Sequence, residues 1–293
     1  MGYLIVSILA SVGVTLLLKA ATNFGMPVQI LNFFYRLGMG TFAVVGLLIS
    51  FRLTEFPALW LRTWMFVIPG ILCLYLAGMG AMSGAKYGHI GITTMVIRSS
   101  LILPVGYALT VIFFENREKF FHVLPWAGAG CVAILMGFVM IGAERETRRH
   151  VASPGKWIGW LGLGFLFQGG WDTLVAIASG LSGREMQFCF FLVSLGAALL
   201  SSFKLEVQSG HWSWWQAGGG LLAGLLSLIV ALARPLAVKD LGALIVFPAF
   251  SIGGLLLVQF CGALFFKHAL GRLGWVGVSL SAIGIILLVF ARQ

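Results

Sequence analysis

LILPVGYALTVIFFENREKFFHVLPWAGAGCVAILMGFVM, residues 101–140, consists of two apolar stretches joined by a short charged connection. Each stretch belongs to a run close to the roughly 20 residues with which a helix crosses the hydrocarbon of a bilayer. The whole chain has this character, because 60% of its 293 residues are apolar and only 10% are charged. The sequence therefore predicts a polytopic membrane protein.

Ten apolar runs follow one another along the chain, with short polar connections between them. They lie at residues 3–22, 29–51, 62–85, 91–114, 123–142, 156–178, 186–205, 213–234, 241–266 and 273–291. Because they occupy nearly the whole sequence, we predict ten transmembrane helices and no extramembrane domain. The longest hydrophilic stretch, residues 143–156, is predicted to be a linker. The first run lacks a basic leader and a small-residue cleavage site, which favours a retained helix over a signal peptide.

The polar residues show no catalytic or metal-binding pattern. Four cysteines lie singly in apolar runs and five histidines show no ligand spacing, so we expect neither a metal nor another cofactor. The sequence also has no phosphate loop or nucleophile motif, which argues against an enzyme. The net charge of +10 sits mainly in the connections, where Lys and Arg orient helices and contact lipid headgroups. We therefore expect the lipid bilayer, and not nucleic acid, to be the partner of these basic residues.

The two halves of the chain share weak sequence echoes in the same order. QILNFFYRLG (29–38) corresponds to QFCFFLVSLG (187–196), and residues 111–130 correspond to ALFFKHALGRLGWVGVS (263–279). We interpret these matches as a duplication, although shared FF and LG pairs could also arise from composition alone.

A duplication of this kind fixes the predicted domain organisation. The first repeat covers residues 1–142 and the second covers residues 157–293, with five helices in each. An odd number of helices makes the second copy enter the membrane from the opposite side. The predicted fold class is thus an all-α polytopic membrane protein built of two inverted five-helix repeats, a plan that recurs in secondary transporters.

This arrangement resembles the drug/metabolite transporter superfamily, in particular its ten-helix EamA-like members. The resemblance covers most of the chain and rests on the five-plus-five plan, on Arg36 early in the second run, on LILPVGYALTVIFFENR (101–117) with its Glu115, and on WAGAGCVAILMGFVM (126–140). FFKHALGRLGWVGVSLSAIGIILL, at the end of the second half, is similar to the same module, with Lys267 where such modules often have glutamate. The resemblance implies transport by alternating access.

The first run, with ASVGVTLLLKA (10–20), is similar to the first helix of small multidrug resistance proteins. In those proteins a glutamate serves as the shared site for protons and cationic drugs, and Ser11 occupies the matching position here. A serine hydroxyl does not exchange protons near neutral pH as a carboxylate does. The resemblance therefore supports the fold and argues against proton-coupled export of cations, while Ser11 remains a candidate substrate contact.

Four ionisable residues lie within the predicted spans: Lys19, Arg36, Arg98 and Asp172. A basic residue at a helix centre costs about 2.5 to 3.5 kcal/mol on the insertion scale, so such groups usually face a bundle interior or a wet cavity. Lys19 and Arg36 lie nearer run ends, where snorkelling to the interface is the alternative. Arg98 lies deeper and shares its run with Pro104, which frees a carbonyl group and permits a bend. We expect Arg98 to contact substrate, or else to form a structural pair with Asp172.

Asp172 is the only acidic residue well inside a predicted span. Gln168 lies one helical turn before it on the same face, and Trp171 is its neighbour. These residues predict a second wall of a substrate site, or a buried polar network without a ligand. Tyr75 and Tyr107 are candidates for stacking or hydrogen bonding with a ligand, although aromatic residues in spans more often serve packing.

Glycine spacing predicts close helix contacts at two places. Gly80, Gly84 and Gly88 recur every four residues along the third run and just past its end, and Gly220 and Gly224 do so in the eighth run. Small residues at this spacing let helix backbones approach closely in a membrane.

The residues and the resemblance together predict a transporter that exports a small organic metabolite by alternating access. Because basic groups outnumber the single deep acid, we expect a carboxylate-bearing solute such as an amino acid. Arg98 would meet the carboxylate, and Asp172 would meet an amino group or Arg98 itself. If protons drive transport, Asp172 is the residue expected to carry them. The alternatives are a lipid flippase that places Arg98 against a headgroup phosphate, and a membrane accessory subunit without a solute.

The resemblance implies a bacterial inner membrane protein, and we expect a monomer or a homodimer. Basic residues at the run ends, Arg234 among them, are balanced between the two sets of connections and do not decide the orientation. The first half alone favours a cytoplasmic amino terminus. Ten spans then place the carboxyl terminus in the cytoplasm as well.

Overall fold

The computed structural model of the protein describes residues 1–23, 28–87, 93, 96–145, 153–202, 214–266 and 271–291. Within these ranges the chain forms ten α-helices: α1 Gly2–Asn23, α2 Val28–Ser50, α3 Phe56–Tyr87, α4 Ile102–Glu115, α5 Arg117–Arg145, α6 Pro154–Ala178, α7 Gly183–Ser202, α8 Trp214–Leu241, α9 Ala243–Phe266 and α10 Arg272–Phe290. Short 3₁₀-helices, Leu53–Glu55 and Ser99–Leu101, precede α3 and α4.

The helices of this fold have the length and surface of membrane spans. Eight of the described helical segments are long and apolar enough to cross a bilayer, and α1 and α9 contain the shorter apolar stretches Gly2–Leu17 and Ala243–Val258. Large apolar side chains point outward, with Leu61, Phe114 and Val139 each at least 70% exposed. Such a surface suits lipid, because the hydrocarbon of a bilayer is as apolar as these side chains. The prediction of a multi-pass, all-α membrane protein is confirmed.

The fourth predicted span contains a 3₁₀ turn that interrupts its α-helical hydrogen bonding. Residues 96–98 are helical, Ser99–Leu101 form a 3₁₀-helix, and α4 begins only at Ile102. Pro104 accounts for the interruption, because its nitrogen has no hydrogen to donate to the carbonyl of Ser100 and its ring crowds that carbonyl. Arg98 therefore lies within the span Val96–Glu115, directly before its 3₁₀ turn.

Helix α8 continues beyond the predicted end of its run, through Pro235 to Leu241. Arg234 was predicted to lie at the edge of a connection, but it is buried within this helix, with 5% of its surface exposed. The hydropathy pattern predicts the end of this run at Arg234 because it treats every charged residue alike. It does not distinguish an arginine buried within a helix from one at the end of a helix.

The helices group into two compact units. Unit 1 comprises residues 1–75 and 178–237, and unit 2 comprises residues 76–177 and 238–293. In unit 1, α2 runs antiparallel to α7, because Gly40 lies against Ala198 while Gly46, further along α2, lies against Phe191, further back on α7. Their apolar faces meet in a core cluster of Ala43, Leu47, Phe51, Phe188, Phe191 and Leu228.

Helix α2 also packs along α8 in unit 1. A Cβ atom placed on Gly38 would lie 2.5 Å from the carbonyl oxygen of Leu221, and one placed on Gly224 would meet backbone atoms of α2. The hydroxyl groups of Tyr35 and Ser227 are 2.7 Å apart, which adds a hydrogen bond between the two helices. The predicted contact at the α8 glycines is confirmed.

In unit 2, α5 and α10 pack antiparallel along a stripe of small residues. A Cβ atom on Gly130 would lie 2.9 Å from the carbonyl oxygen of Gly284. One on Gly137 would meet the carbonyl oxygen of Gly277 and the hydroxyl oxygen of Ser281. Backbones approach this closely only where side chains are absent or small. Helix α4 packs on both α5 and α9, and α9 packs on α10.

Gly137→Ala is expected to lower the free energy of unfolding by about 1 to 3 kcal/mol, because the added methyl group must displace backbone atoms of α10. Gly128→Ala is the matched control on the same helix, since a Cβ atom there meets nothing within 4 Å. Thermal unfolding in detergent should show a lower midpoint for Gly137→Ala and no loss for Gly128→Ala. Equal midpoints for the two variants would contradict the close contact of α5 with α10.

Candidate functional site

The candidate site residues divide between the two units. Unit 2 holds Arg98, Tyr107, Gln168, Trp171 and Asp172, and unit 1 holds Ser11, Lys19, Arg36 and Tyr75. The side chain of Lys19 lies outside the described residues. In unit 2, Gln168, Trp171 and Asp172 lie on α6, Arg98 lies on the segment that leads into α4, and Tyr107 lies on α4.

Helix α6 carries a buried polar pair. The Nε2 atom of Gln168 donates a hydrogen bond of 2.9 Å to the Oδ1 atom of Asp172. Asp172 is 4% exposed and its neighbour Trp171 is 6% exposed, so both lie inside the protein. A buried carboxylate is costly unless polar groups surround it. Gln168 supplies one such group and orients the carboxylate.

Arg98 is half-buried and lies over an aromatic ring of another helix. Its guanidinium carbon is 5.7 Å from the ring centre of Phe250 in α9. The negative face of the ring attracts the cation, and this attraction is larger where water is excluded. The contact helps to hold the guanidinium in place.

The interrupted segment packs closely along α6. The side chain of Ile97 lies against Gly164, whose Cβ atom would be 2.9 Å from its Cδ1. Further along, a Cβ atom on Gly169 would lie 3.0 Å from the carbonyl oxygen of Ser100. Because both residue numbers increase together, the segment and α6 run parallel. Because Gly169 has no side chain, the backbone at Ser100 can approach α6 closely at this position.

Ser100 is a further polar residue of this segment, and it is not among the site residues predicted from the sequence. It is 1% exposed, and its hydroxyl oxygen has no hydrogen-bond partner among the described residues. A buried hydroxyl without a partner costs about 1 to 3 kcal/mol and calls for an explanation. The sequence contained one signal for Ser100, which is its position four residues before Pro104. At that spacing the proline nitrogen cannot donate the usual helical hydrogen bond to the Ser100 carbonyl. No sequence signal pointed to Phe250.

Arg36 is the buried cation of unit 1. It is 6% exposed, so it does not extend to the interface as the snorkelling alternative required. Its guanidinium carbon lies 5.2 Å from the ring centre of Tyr35, and its Nε atom has no hydrogen-bond partner within the described ranges.

The remaining candidates are half-buried and lie on separate helices. The carbonyl of Ser11 in α1 accepts a hydrogen bond of 3.0 Å from the hydroxyl of Thr15. Tyr75 lies in α3 and Tyr107 in α4. The roles of Ser11, Tyr75 and Tyr107 in substrate binding stay predictions.

No protein-family model matches the sequence. Over 152 residues the chain is 25% identical to a curated protein, the MFS thioclapurine efflux transporter tcpA of Claviceps purpurea (strain 20.1). That similarity covers 51% of this chain, and the chain spans 28% of the length of that relative. A solved structure named only as the crystal structure of a protein superposes with a TM-score of 0.76 at 15% identity, over 99% of this chain and 96% of that chain. This likeness shows that the whole chain has a fold already observed in a solved structure.

Proposed function

We propose that this protein is a secondary transporter of the drug/metabolite transporter type that exports a small carboxylate-bearing metabolite, with amino acids as the favoured class. The observation that carries the proposal is the 3₁₀ turn Ser99–Leu101, which directly follows Arg98 within a span of apolar residues. A 3₁₀ stretch within a helix often marks a functional hinge, and charged residues within spans mark solute pathways.

The groups at the 3₁₀ turn suit a carboxylate. Arg98 adds a permanent cation, whose planar N–H groups match the two oxygens of a carboxylate. Ser100 adds a buried hydroxyl that has no hydrogen-bond partner among the described residues. The combination favours an anionic acceptor over an organic cation.

Asp172 gives the proposed site its second charge. In our proposal it meets the amino group of an amino acid, or Arg98 when no solute is bound. Gln168 holds the carboxylate by the 2.9 Å hydrogen bond. If transport is coupled to protons, Asp172 is the residue proposed to carry them, because its carboxyl group is the only one deep within a predicted span.

The packing of equivalent helices supports the proposed inverted repeat. Helices α2 and α7 hold the same position in the two halves and run antiparallel, and so do α5 and α10. An inverted duplication predicts that helices at equivalent positions in the two halves run in opposite directions. We therefore propose residues 1–142 and 157–293 as the repeats, joined by residues 143–156. Alternating access would follow from the two repeats exchanging conformations.

The comparison with the efflux transporter supports carriage across a membrane in general. Major facilitator transporters have halves of six helices, each with three-helix repeats, whereas the halves proposed here have five. The drug/metabolite transporter plan is therefore proposed on the helix count and on the sequence motifs, with both termini in the cytoplasm of a bacterial cell, an inner-membrane location, and a monomeric or homodimeric state.

The experiment that tests the proposal is a ligand screen followed by transport. The purified protein is heated with amino acids, organic anions, organic cations and soluble lipid-headgroup analogues. A solute at about one hundred times its dissociation constant should add about 2.7 kcal/mol of stability. Solutes that stabilise are then assayed for flux from proteoliposomes. Stabilisation by carboxylates with saturable flux supports the carrier.

Three results would count against the carrier. Stabilisation by organic cations alone would reverse the proposed charge preference. Stabilisation by headgroup analogues, with movement of labelled lipid between leaflets, would assign the protein to the flippase alternative. A stable protein that binds no solute and purifies with a second polypeptide would assign it to the accessory-subunit alternative.

A further inference from the structure

An apolar groove lies on unit 1 between the first turns of α3 and α7. Its volume is about 290 Å³, and it is lined by Phe56, Pro57, Trp60, Phe188 and Leu192. The floor is fixed, because Phe188 is only 1% exposed and packs edge-to-face against Phe56 with ring centres 5.2 Å apart. The groove is therefore an open apolar surface depression with a fixed floor, which an apolar group can contact.

The position of the groove along its helices places it near a membrane interface. Helix α3 begins at Phe56 and α7 begins at Gly183, so both helices start at this level. Trp60 and Trp64, each 44% exposed, follow within three turns of the start of α3. Tryptophan is enriched where the hydrocarbon meets the headgroups. An apolar group in the groove would extend from this level into the bilayer.

Arginines border the groove at the same level. The guanidinium carbon of Arg184 lies 5.6 Å from the ring centre of Phe51, and the Phe51 ring packs on Phe188 in the floor at 5.4 Å. Nη2 of Arg184 pairs with Oε2 of Glu55 at 2.8 Å. Through these two rings a cation is linked directly to the apolar floor.

A second ion pair crosses from α3 to α7. Nη1 of Arg62 lies 3.0 Å from Oε1 of Glu185. The side chains of Arg62 and Arg184 are 72% and 63% exposed, and each guanidinium carries five N–H groups, more than one carboxylate oxygen can engage. Arg52 is exposed, and its carbonyl accepts a hydrogen bond of 2.9 Å from the N–H of Glu55, which places its backbone at this level. These described side chains comprise three cations and two carboxylates, a surplus of one positive charge.

We propose that this groove binds one anionic phospholipid, with an acyl chain against Trp60 and Leu192 and the phosphate at Arg62 and Arg184. The apolar lining, the interfacial level and the surplus positive charge match the three parts of such a lipid. A neutral phospholipid can fill the groove but lacks the net charge that the rim attracts. The proposal does not depend on transport.

The test measures lipid binding to the full-length protein, delipidated in detergent, by native mass spectrometry with dioleoylphosphatidylglycerol or dioleoylphosphatidylcholine. The wild-type protein is expected to bind the anionic lipid more tightly. The double variant Arg62→Gln, Arg184→Gln should lose affinity for it by about 25-fold, roughly fivefold for each arginine. Its affinity for the neutral lipid should stay unchanged.

The matched variant Glu55→Gln, Glu185→Gln breaks the same ion pairs but keeps both arginines. It should bind the anionic lipid at least as tightly as the wild type, because the carboxylates no longer compete for the guanidinium groups. This result separates lost charge from lost structure. Weakened binding in this variant, matching that of the arginine variant, would overturn the assignment of the phosphate to the arginines.

A second pair of variants tests the groove itself. Trp60→Ala removes one wall and should weaken the binding of both lipids, whereas Trp64→Ala, equally exposed but outside the groove, should not. Equal binding by all four variants and the wild type would overturn the proposal. So would full competition by inorganic phosphate, which would assign the rim to a free anion. A change of oligomeric state in Trp60→Ala without a change in lipid binding would assign the groove to a second copy of the chain.

Discussion

Arg98→Ala is expected to reduce the efflux of carboxylate solutes from proteoliposomes by about tenfold or more. Hydrogen bonds to charged groups contribute about 1.5 to 3 kcal/mol, which corresponds to a loss of roughly 10- to 100-fold in affinity. Loss of the cation–π contact with Phe250 alone contributes about 0.5 to 2 kcal/mol to any loss of stability. Flux and thermal unfolding are measured on the same preparations, so that a transport defect can be separated from unfolding.

Arg117→Ala is the matched control for this variant. The guanidinium carbon of Arg117 lies 5.3 Å from the ring centre of Phe113, a similar contact in an exposed position at the start of α5. Its removal should leave flux unchanged. Arg98→Lys keeps the charge without the planar fork and should retain part of the flux. If Arg98→Ala transports as fast as the wild type, the arginine does not contact the solute. If it merely unfolds, the arginine is a structural lock.

Asp172→Asn should reduce amino-acid flux by about tenfold or more while sparing carboxylates that lack an amino group. The amide has nearly the shape of the carboxylate but no charge for an ammonium group. It can still accept the hydrogen bond of Gln168, so the fold should be kept. The measurement is a ratio of two fluxes, for an amino acid and for its deaminated analogue, in one set of vesicles.

Gln168→Ala serves as the comparison, because it removes the 2.9 Å hydrogen bond but leaves the charge of Asp172. It should lower both fluxes by a similar, smaller factor. A proton-coupled carrier would also lose its response to an imposed pH gradient in Asp172→Asn. An equal loss of flux for both solutes in Asp172→Asn would indicate a buried polar network without a direct solute contact.

The number of helices was predictable because hydropathy over about 20 residues is a strong signal. The ten predicted runs each match one helix, and most boundaries agree to within a few residues. The two failures share a cause. The 3₁₀ turn before α4 and the buried Arg234 in α8 are local features that a hydropathy average over a whole run does not detect. Pro104 carried the chemical reason for the first.

The site was predictable only where it depends on spacing within one helix. Gln168 and Asp172 are four residues apart, and the helical repeat brings them together. Phe250 reaches Arg98 from a helix far along the chain, so that contact depends on how helices pack. The free hydroxyl of Ser100 could be identified only when the burial of every neighbour was known. Spacing along one element is local information, whereas packing is a property of the whole fold.

The partnership of α5 with α10 has a consequence for biosynthesis. At ~5–20 residues per second, a ribosome needs between about 6 and 30 s to pass from the end of α5 to α10. During that interval the stripe of small residues on α5 contacts lipid or a chaperone. In the same way, the face of α2 that packs against α7 has no partner until α7 is synthesised. Insertion of the first half therefore precedes its packing. A nascent chain arrested before residue 272 contains α7 but lacks α10, so it should present the small-residue stripe of α5 to membrane quality-control proteases.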